Sequence, residues 1–558
     1  MTDPCTAAGL HQQVNDAIAA GRHAVCLPSG EHAIHGGWLP ERFCHVSNND
    51  HGLKRILFDI EGARDFVLDG NGARFTCFGA VLPIRIGHGE RVTVKNLTID
   101  WWRPFFTQAV VAESGPGWLS FQYDAARYPL RVDGGRLLAC DGHGWQSDLL
   151  WNLLPFDAGR REVCSRIENW HLSRFHRAFV LAKNGIRLEA NFAECYAPGT
   201  HIVLMHGNRA APAIWIEESN NVTVQDVTIH HAPGMGVLAQ LSRDVTVRRV
   251  NVEPSGDRLF STWVDATHFV DCNGATRLLD CALRGQFDDA ANIHASFSLV
   301  TKRLSSRTAR LQHVHPQRYG RNAATTGVGV AFYRRRDMTR LLVTRVLGAE
   351  TLNQEFCDVT IADDLPSEPG ELICARFDPE STVEVRGCRF GANRGRGLLI
   401  NMEHHVRVED NHIHVSGRAI ESMPDANYWW EGSPVQDLII RNNTFEDCCF
   451  GPCGDDIIFV GPELPDGSDP RGQPIRATGQ APAVRCATPA LRNIRIQDNT
   501  IIRHRGCLLH AHGVDGLTFT GNRVSDSARY PLDLRGRACF IDNNVLNAEI
   551  EYPCASTS

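Results

Sequence analysis

The densest polar stretch of the 558-residue chain runs from Trp263 to Ala295, WVDATHFVDCNGATRLLDCALRGQFDDAANIHA, and contains Asp265, Asp288 and Asp289. Carboxyl groups held side by side can divide acid work from base work, because repulsion between like charges raises one of them and leaves another ionised. Hydrolysis of a glycosidic bond needs that division: one group protonates the leaving oxygen and another activates water. Whether these residues meet depends on how the chain is wound.

The winding is legible in a repeat of the form apolar, any, apolar, any, any, apolar or Asn, any, apolar. It reads Val92, Val94, Leu97, Ile99, then Val222, Val224, Val227, Ile229, then Val245, Val247, Val250, Val252. Further copies start at Thr276, Val383, Val406, Leu438, Ile494, Leu517 and Cys539. Where nothing intervenes the copies lie 22 or 23 residues apart. Period-two alternation marks half-buried strands, and a repeat of that length is about one coil of a parallel β-helix. Asn411, Asn443, Asn499, Asn522 and Asn544 occupy one pattern position, so a stacked amide ladder is expected at a bend. The intervals Ile99 to Ile214 and Leu283 to Val383 are too long for turns, carry strand-like alternation, and are expected to be inserted antiparallel β domains. Leu10, Val14, Ile18 and Ala19 share one helical face between Thr6 and Gly21, so a helix should cap the first coil. The expected organisation is a cap and first coils at 1–100, an inserted β domain at 101–205, coils with the Asp cluster at 206–295, a second insertion at 296–378, and coils at 379–558.

Counting around the coils places the cluster. Asp288 and Asp289 follow Thr276 by 12 and 13 residues, and subtracting an eight-residue excursion, Glu253 to Phe260, places Asp265 beneath Asp288. Arg396 falls above Asp289, where it should keep that carboxylate ionised. The glycines of APGMG, Gly234 and Gly236, fall at offsets 12 and 14 from Val222 and leave room for a ligand. Asp288 is then the expected general acid, with Asp265 and Asp289 orienting and deprotonating water; exchange of the acid and base labels stays open. The plainer alternative is that such Asp residues are solvated or bind calcium. Asn292 and His294 could bond sugar hydroxyls, Trp429 and Trp430 could stack on a sugar face, Glu431 could bind a hydroxyl or act as an alternative acid, and Arg258 could reach the site from the excursion. Each could equally serve packing.

Composition narrows the partners. With 57 Lys+Arg against 64 Asp+Glu the formal charge is −7, which gives no electrostatic support for a nucleic acid or an acidic membrane. No apolar run approaches the roughly 18 residues of a membrane helix, and the start MTDPCTAAGL lacks the features of a secretory signal. A cytoplasmic protein is expected if Met1 is the native start, and a secreted or periplasmic one if a signal was removed. The 19 cysteines are scattered and read as small buried hydrophobes; Cys448, Cys449 and Cys453 form the one tight group, a metal site or disulfide lacking zinc-like spacing.

The stretch Val222 to His294, with HHAPGMGVLAQLSRDVTVRRVNV, GDRLFSTWVDATHFVDCNG and FDDAANIH, resembles the catalytic core of glycoside hydrolase family 110, the α-1,3-galactosidases. VHPQRYG at Val314 to Gly320, RGRGLLI at Arg394 to Ile400 and SGRAIESMPDANYWWEGSPVQDLIIRNNTF at Ser416 to Phe445 extend the likeness over most of the chain from about residue 60. The resemblance implies a right-handed parallel β-helix with inserted β-barrel domains, removal of terminal α-linked galactose with inversion, no metal or other cofactor, and catalytic aspartates matching Asp265, Asp288 and Asp289. Family members commonly have His-Gly where this chain has His294-Ala295, and Glu-Ser-Gly where it has Glu431-Gly432-Ser433. The expected partner is a terminal α-galactosyl oligosaccharide or glycan, with neither nucleic acid nor membrane, and a homodimer left open. Two other readings compete: a β-helix polysaccharide lyase using an Arg or Lys base with calcium, and a noncatalytic glycan-binding solenoid.

Overall fold

A computed structural model describes residues 5–167, 170–171, 176–181, 184–190, 192, 195–367, 371–403, 405–451, 454–464, 488–542 and 544–552. Its body is a parallel β-helix whose coils feed two long sheets, one of 19 strands and one of 12. The repeat markers stack as consecutive partners: Val92, Val222, Val245, Thr276, Val383, Val406, Leu438, Ile494 and Leu517. In strand Asn220–Ile229 the marker side chains of Val222, Val224, Val227 and Ile229 are buried while those between them are partly exposed. A single coil cannot bury such a row alone; it is stable only because the coils above and below cover it.

The amide ladder is present and explains why asparagine recurs. Asn411, Asn443 and Asn499 each donate from the main chain N–H and from Nδ2 to the Oδ1 of the next rung, ending on Asn522. Each Nδ2 also donates to a carbonyl of the preceding coil, Asn443 to Val408 O at 2.9 Å. Cys281 and Cys388 hold the equivalent position in earlier coils, with Cys281 N–H directed at Cys388 Sγ, 3.5 Å away. The last coil differs from the count. Leu517 pairs with Ala548, whereas Cys539 pairs with Leu509 on the other sheet, so Asn544 leaves the ladder and accepts from Gly513 N–H.

Both long intervals leave the solenoid as antiparallel structure. Strands Phe106–Gly115, Trp118–Tyr123, Leu150–Asp157, Gly185–Glu189 and His201–His206 belong to an open eight-stranded sheet, and a separate three-stranded sheet accompanies it. Strands from Ser298–Arg303 to Leu372–Arg376 close into a six-stranded barrel. The helix Cys5–Ala19 buries Ala7, Leu10, Val14 and Ala17; Ile18 packs partly and Ala19 faces solvent. His11 Nδ1 lies 2.6 Å from Leu57 O, tying this cap to the first coils. No helix among the described residues is long and apolar enough to cross a membrane.

His231 fastens the first insertion to the solenoid. Its Nε2 accepts from Phe105 N–H at 3.0 Å and its Nδ1 donates to Ser261 O at 2.6 Å, so the ring is the neutral Nδ1–H tautomer. Burial takes the imidazole down to about 3. A depressed histidine leaves stability whole above its unfolded value, near 6.5, and removes it as the pH falls toward the folded value. Chemical unfolding of wild type and His231→Leu at pH 7 and pH 5 should show wild type losing about 2 kcal/mol more than the variant. Asn443→Ala strands donors and acceptors on both neighbouring coils and should cost about 1–3 kcal/mol or more in the same measurement.

Candidate active site

Turns on the second sheet carry the acidic cluster. Strands Thr267–Val270, Ala291–His294, Leu398–Asn401, Ile420–Ser422 and Asp456–Val460 stack in parallel, with Thr267 over Ala291, Ala291 over Leu398, Leu398 over Ile420 and Ile420 over Ile458. Two residues before each of these partners stand Asp265, Asp289, Arg396, Arg418 and Asp456, which form one column. Asp265 thus lies in register with Asp289, one residue away from the position that counting gives. The cause is a bulge: Arg243 pairs with Asn273 but Val245 with Thr276, so one of the eight extra residues is taken up after Asp265, at Gly274 with φ +66°.

Asp265, Asp288 and Asp289 each bring a carboxylate oxygen within 4.8 Å of the others. Asp265 is buried; its Oδ1 accepts from Asp289 N–H at 3.0 Å and its Oδ2 lies 2.7 Å from His268 Nδ1. Asp289 is buried under Arg396, whose Nε and Nη2 donate to Oδ1 and Oδ2 at 2.9 Å each, while Arg396 N–H donates to Oδ1 at 3.0 Å. Asp288 is half-buried, and its carboxylate takes no hydrogen bond among the described residues. Burial, then the Asp288 carboxylate, pushes Asp265 well above the usual range. Burial pushes Asp289 the same way and Arg396 opposes it; two parallel guanidinium bonds and a main-chain N–H serve the ionised form, and we take Asp289 as the anion.

Behind Arg396 the charges alternate. Its Nη1 donates to Glu421 Oε1 at 2.6 Å, Arg418 Nη1 donates to Glu421 Oε2 at 2.5 Å, and Arg418 Nη2 donates to Asp456 Oδ2 at 3.2 Å. Although burial works to raise it, Arg396 and Arg418 bring the Glu421 carboxyl down to about 2.

On the other side of the cluster Glu431 is gripped by amides: Asn48 Nδ2 donates to Oε1 at 3.0 Å and Asn292 Nδ2 to Oε2 at 3.2 Å. Arg318 Nη2 stands 3.9 Å from Oε1 and His294 Nε2 stands 3.6 Å from it. Against the burial that would raise it, Arg318, His268 and the two amides hold the Glu431 carboxyl below the usual range. Arg318 is itself buried, and its guanidinium nitrogens have no hydrogen-bond partner among the described residues; Asn292 Oδ1 and Asn49 Oδ1 share that condition. Trp429 is half-buried at the rim, its ring 4.8 Å from His315 and 6.0 Å from Arg209, and Asp425 fixes this loop by accepting from the N–H groups of Asn427, Tyr428 and Trp429.

The structure therefore gathers Asp265, Asp288, Asp289, Arg396, Asn292, His294 and Glu431, and leaves two expected residues outside. Arg258 is spent on Asp100 Oδ1 at 2.5 Å and Trp101 O at 3.1 Å, bracing its excursion. Trp430 is fully buried beneath Arg335, 4.7 Å from its ring, and packs the loop while its neighbour Trp429 reaches the rim. The glycines of APGMG do not open a gap: a Cβ on Gly234 would meet Asn49 Oδ1 and Ala211 O, and one on Gly236 would meet Ala266 O, so backbone and Asn49 occupy that room. Cys448 and Cys449 are free, buried thiols pushed up by burial, Cys448 to about 12, and Cys453 lies outside the described residues. Sequence reasoning missed His268, Glu421, Arg418, Arg318 and Asn48. The first is three residues from Asp265 within the motif that drew attention, whereas Asn48 comes from 383 residues away with no spacing signal.

The spacing of the three aspartates suits a divalent cation, but their partners do not. Arg396 donates to both oxygens of Asp289, and His268 and a main-chain N–H engage those of Asp265, so Asp288 alone of the three has a carboxylate free of hydrogen bonds among the described residues, and a guanidinium already neutralises the Asp289 charge that a cation would need.

No protein-family model matches the chain. It is 29% identical over 546 residues to alpha-1,3-galactosidase B of Bacteroides thetaiotaomicron, covering 94% of this chain and 85% of that protein. It is 26% identical over 517 residues to alpha-1,3-galactosidase A of Shewanella woodyi, covering 91% and 81%. Among solved structures, the A-module of a mannuronan C-5 epimerase of Azotobacter vinelandii aligns over 98% of this chain and 96% of its own, at 11% identity and a TM-score of 0.40.

Replacing Arg396 by Met should leave Asp289 and Glu421 as buried carboxylates short of a partner. A loss of about 3–5 kcal/mol is expected in chemical unfolding at pH 7.

Proposed function

We propose that the chain is an exo-acting α-galactosidase that hydrolyses terminal α-1,3-linked galactose from glycans with inversion. The observation that carries the reading is the unequal clamping of three adjacent carboxyls: Asp289 held by Arg396, Asp265 held by His268, and Asp288 unclamped and half-buried. The relatives named alpha-1,3-galactosidases supply the substrate class. Asp288 donates its proton to the glycosidic oxygen as that bond breaks. Asp289, with Asp265 beside it, holds a water and takes its proton as the oxygen attacks the anomeric carbon. The buried donors and acceptors around Glu431, with Arg318 foremost, are suited to galactose hydroxyls, and Trp429 to a sugar's apolar face.

Inversion ordinarily sets acid and base carboxyls about 6.5–9.5 Å apart. The three aspartates stand closer than that. Asp288 is the member that can widen the gap, because a change of rotamer breaks no hydrogen bond of its carboxylate among the described residues, whereas moving Asp289 would break its bonds to Arg396.

Time-resolved proton NMR of Galα1-3Gal hydrolysis should show β-galactose first. Initial α-galactose would overturn inversion, and no release from this or a chromogenic α-galactoside would overturn the galactosidase reading. Asp288→Asn should lower kcat by about 10²–10⁴-fold with the circular dichroism spectrum unchanged.

A further inference from the structure

A row of hydrogen bonds leads from Asp265 to a main-chain carbonyl. Asp265 Oδ2 lies 2.7 Å from His268 Nδ1, His268 Nε2 lies 2.9 Å from His294 Nε2, and His294 Nδ1 lies 2.7 Å from Ala295 O. Both rings are fully buried. The far end sets the hydrogens as far as His268 Nε2, because a carbonyl oxygen only accepts; Ala295 O also takes the N–H of Gly432 at 2.8 Å. His294 therefore carries its proton on Nδ1 and, as a neutral ring, presents a lone pair at Nε2. His268 must then donate from Nε2, which leaves its own lone pair at Nδ1 facing Asp265. A carboxylate oxygen and a ring nitrogen 2.7 Å apart need one proton between them, carried by Asp265 Oδ2 when His268 is neutral and by Nδ1 were the ring an imidazolium, and the surrounding charges decide between the two.

We propose that His268 and His294 are positioning residues that hold a proton on Asp265, so that Asp265 serves the reaction as a neutral group and deprotonation of water falls to Asp289 alone. The proposal rests on reading the cluster as the glycosidase centre, which it refines by separating two aspartates that the proposed mechanism treats together. The neighbouring charges favour the same arrangement. The carboxylates of Asp288, Asp289, Glu431 and Asp271 and the guanidiniums of Arg209, Arg318 and Arg321 surround the row. The guanidiniums discourage an imidazolium, while the ionised Asp289 discourages a second aspartate anion beside it. Burial takes His268 down to about 3 and holds His294 well below the usual range. The other oxygen of Asp265 accepts from Asp289 N–H, so protonation leaves no conflict there.

Infrared spectroscopy at pH 7.5, where an exposed aspartate is ionised, reads the proton without requiring turnover. The wild-type minus Asp265→Asn difference spectrum should contain the carbonyl band of a protonated carboxylic acid that shifts on 13C-aspartate labelling; its absence would overturn the proposal. The same band should be lost in His294→Leu, which cannot accept from His268, and kept in His294→Gln, which can. Persistence in His294→Leu would overturn the relay. On α-galactoside hydrolysis, His294→Leu should move the acid limb of the kcat/KM profile up by about one pH unit, because an ionised Asp265 then raises the base beside it. A fall in rate with the profile unmoved would mean a merely structural role. If the wild type releases no galactose, the galactosidase reading fails while the infrared result still decides where the proton sits.

Discussion

The fixed rise between coils, about 4.8 Å in any stacked sheet, is the constraint on which this site depends. It turns five residues that lie far apart in the chain, Asp265, Asp289, Arg396, Arg418 and Asp456, into a column of two carboxyls, two guanidiniums and a carboxyl, with Glu421 bridging the two arginines. Burying charges is costly unless each finds its partner in good geometry. A register slip of one residue on this sheet would set each charge on the wrong face of its turn. The apolar rows that hold the coils and the ion pairs that shape the cluster thus demand the same register, and neither is satisfied without the other.

That shared demand is why much of the fold was legible. A strict alternation repeated every 22 or 23 residues leaves few ways to wind the chain, and Val222, Val245, Val383 and Val406 stack as their spacing requires. The amide ladder was legible for the same reason, since Asn411, Asn443 and Asn499 solve one local problem at one position of each coil. Counting erred where coils are not of constant length. It was one residue out at Asp265, because a bulge at Gly274 absorbs one extra residue, and it mistook Cys539–Ile541 for a strand of the wrong sheet, because both sheets use the same alternation.

The site was less legible than the scaffold, and the reason is distance along the chain. Arg396 could be placed over Asp289 because both lie at measured offsets in regular coils. Asn48, Arg318 and Trp429 reach the cleft from an N-terminal segment, a short turn in the barrel insertion and a coil excursion, and no periodicity connects them. Arg258 shows the converse failure: its place on an excursion made it a candidate, but a nearer carboxylate, Asp100, claims its charge. Trp429 and Trp430 could not be separated in sequence, since successive residues in a tight loop diverge, and only the turn built on Asp425 decides which ring reaches the rim.

A solenoid supplies side chains at multiples of one short spacing, which suits ion pairing and ill suits reactions that need two carboxyls well apart. Chemistry on such a frame must draw its asymmetry from the partners of each carboxyl rather than from the backbone. Here Asp289 is fixed on both oxygens by a guanidinium, Asp265 is fixed by a main-chain N–H and an imidazole row that ends on a carbonyl, and Asp288 keeps its side chain unclamped. Three residues of one type, within 4.8 Å of each other, are thereby given a charged, a neutral and a movable character. The histidines matter although they do not touch Asp289, because one aspartate anion beside Arg396 forms a tolerable buried set, whereas a second would repel it and the nearby Glu431.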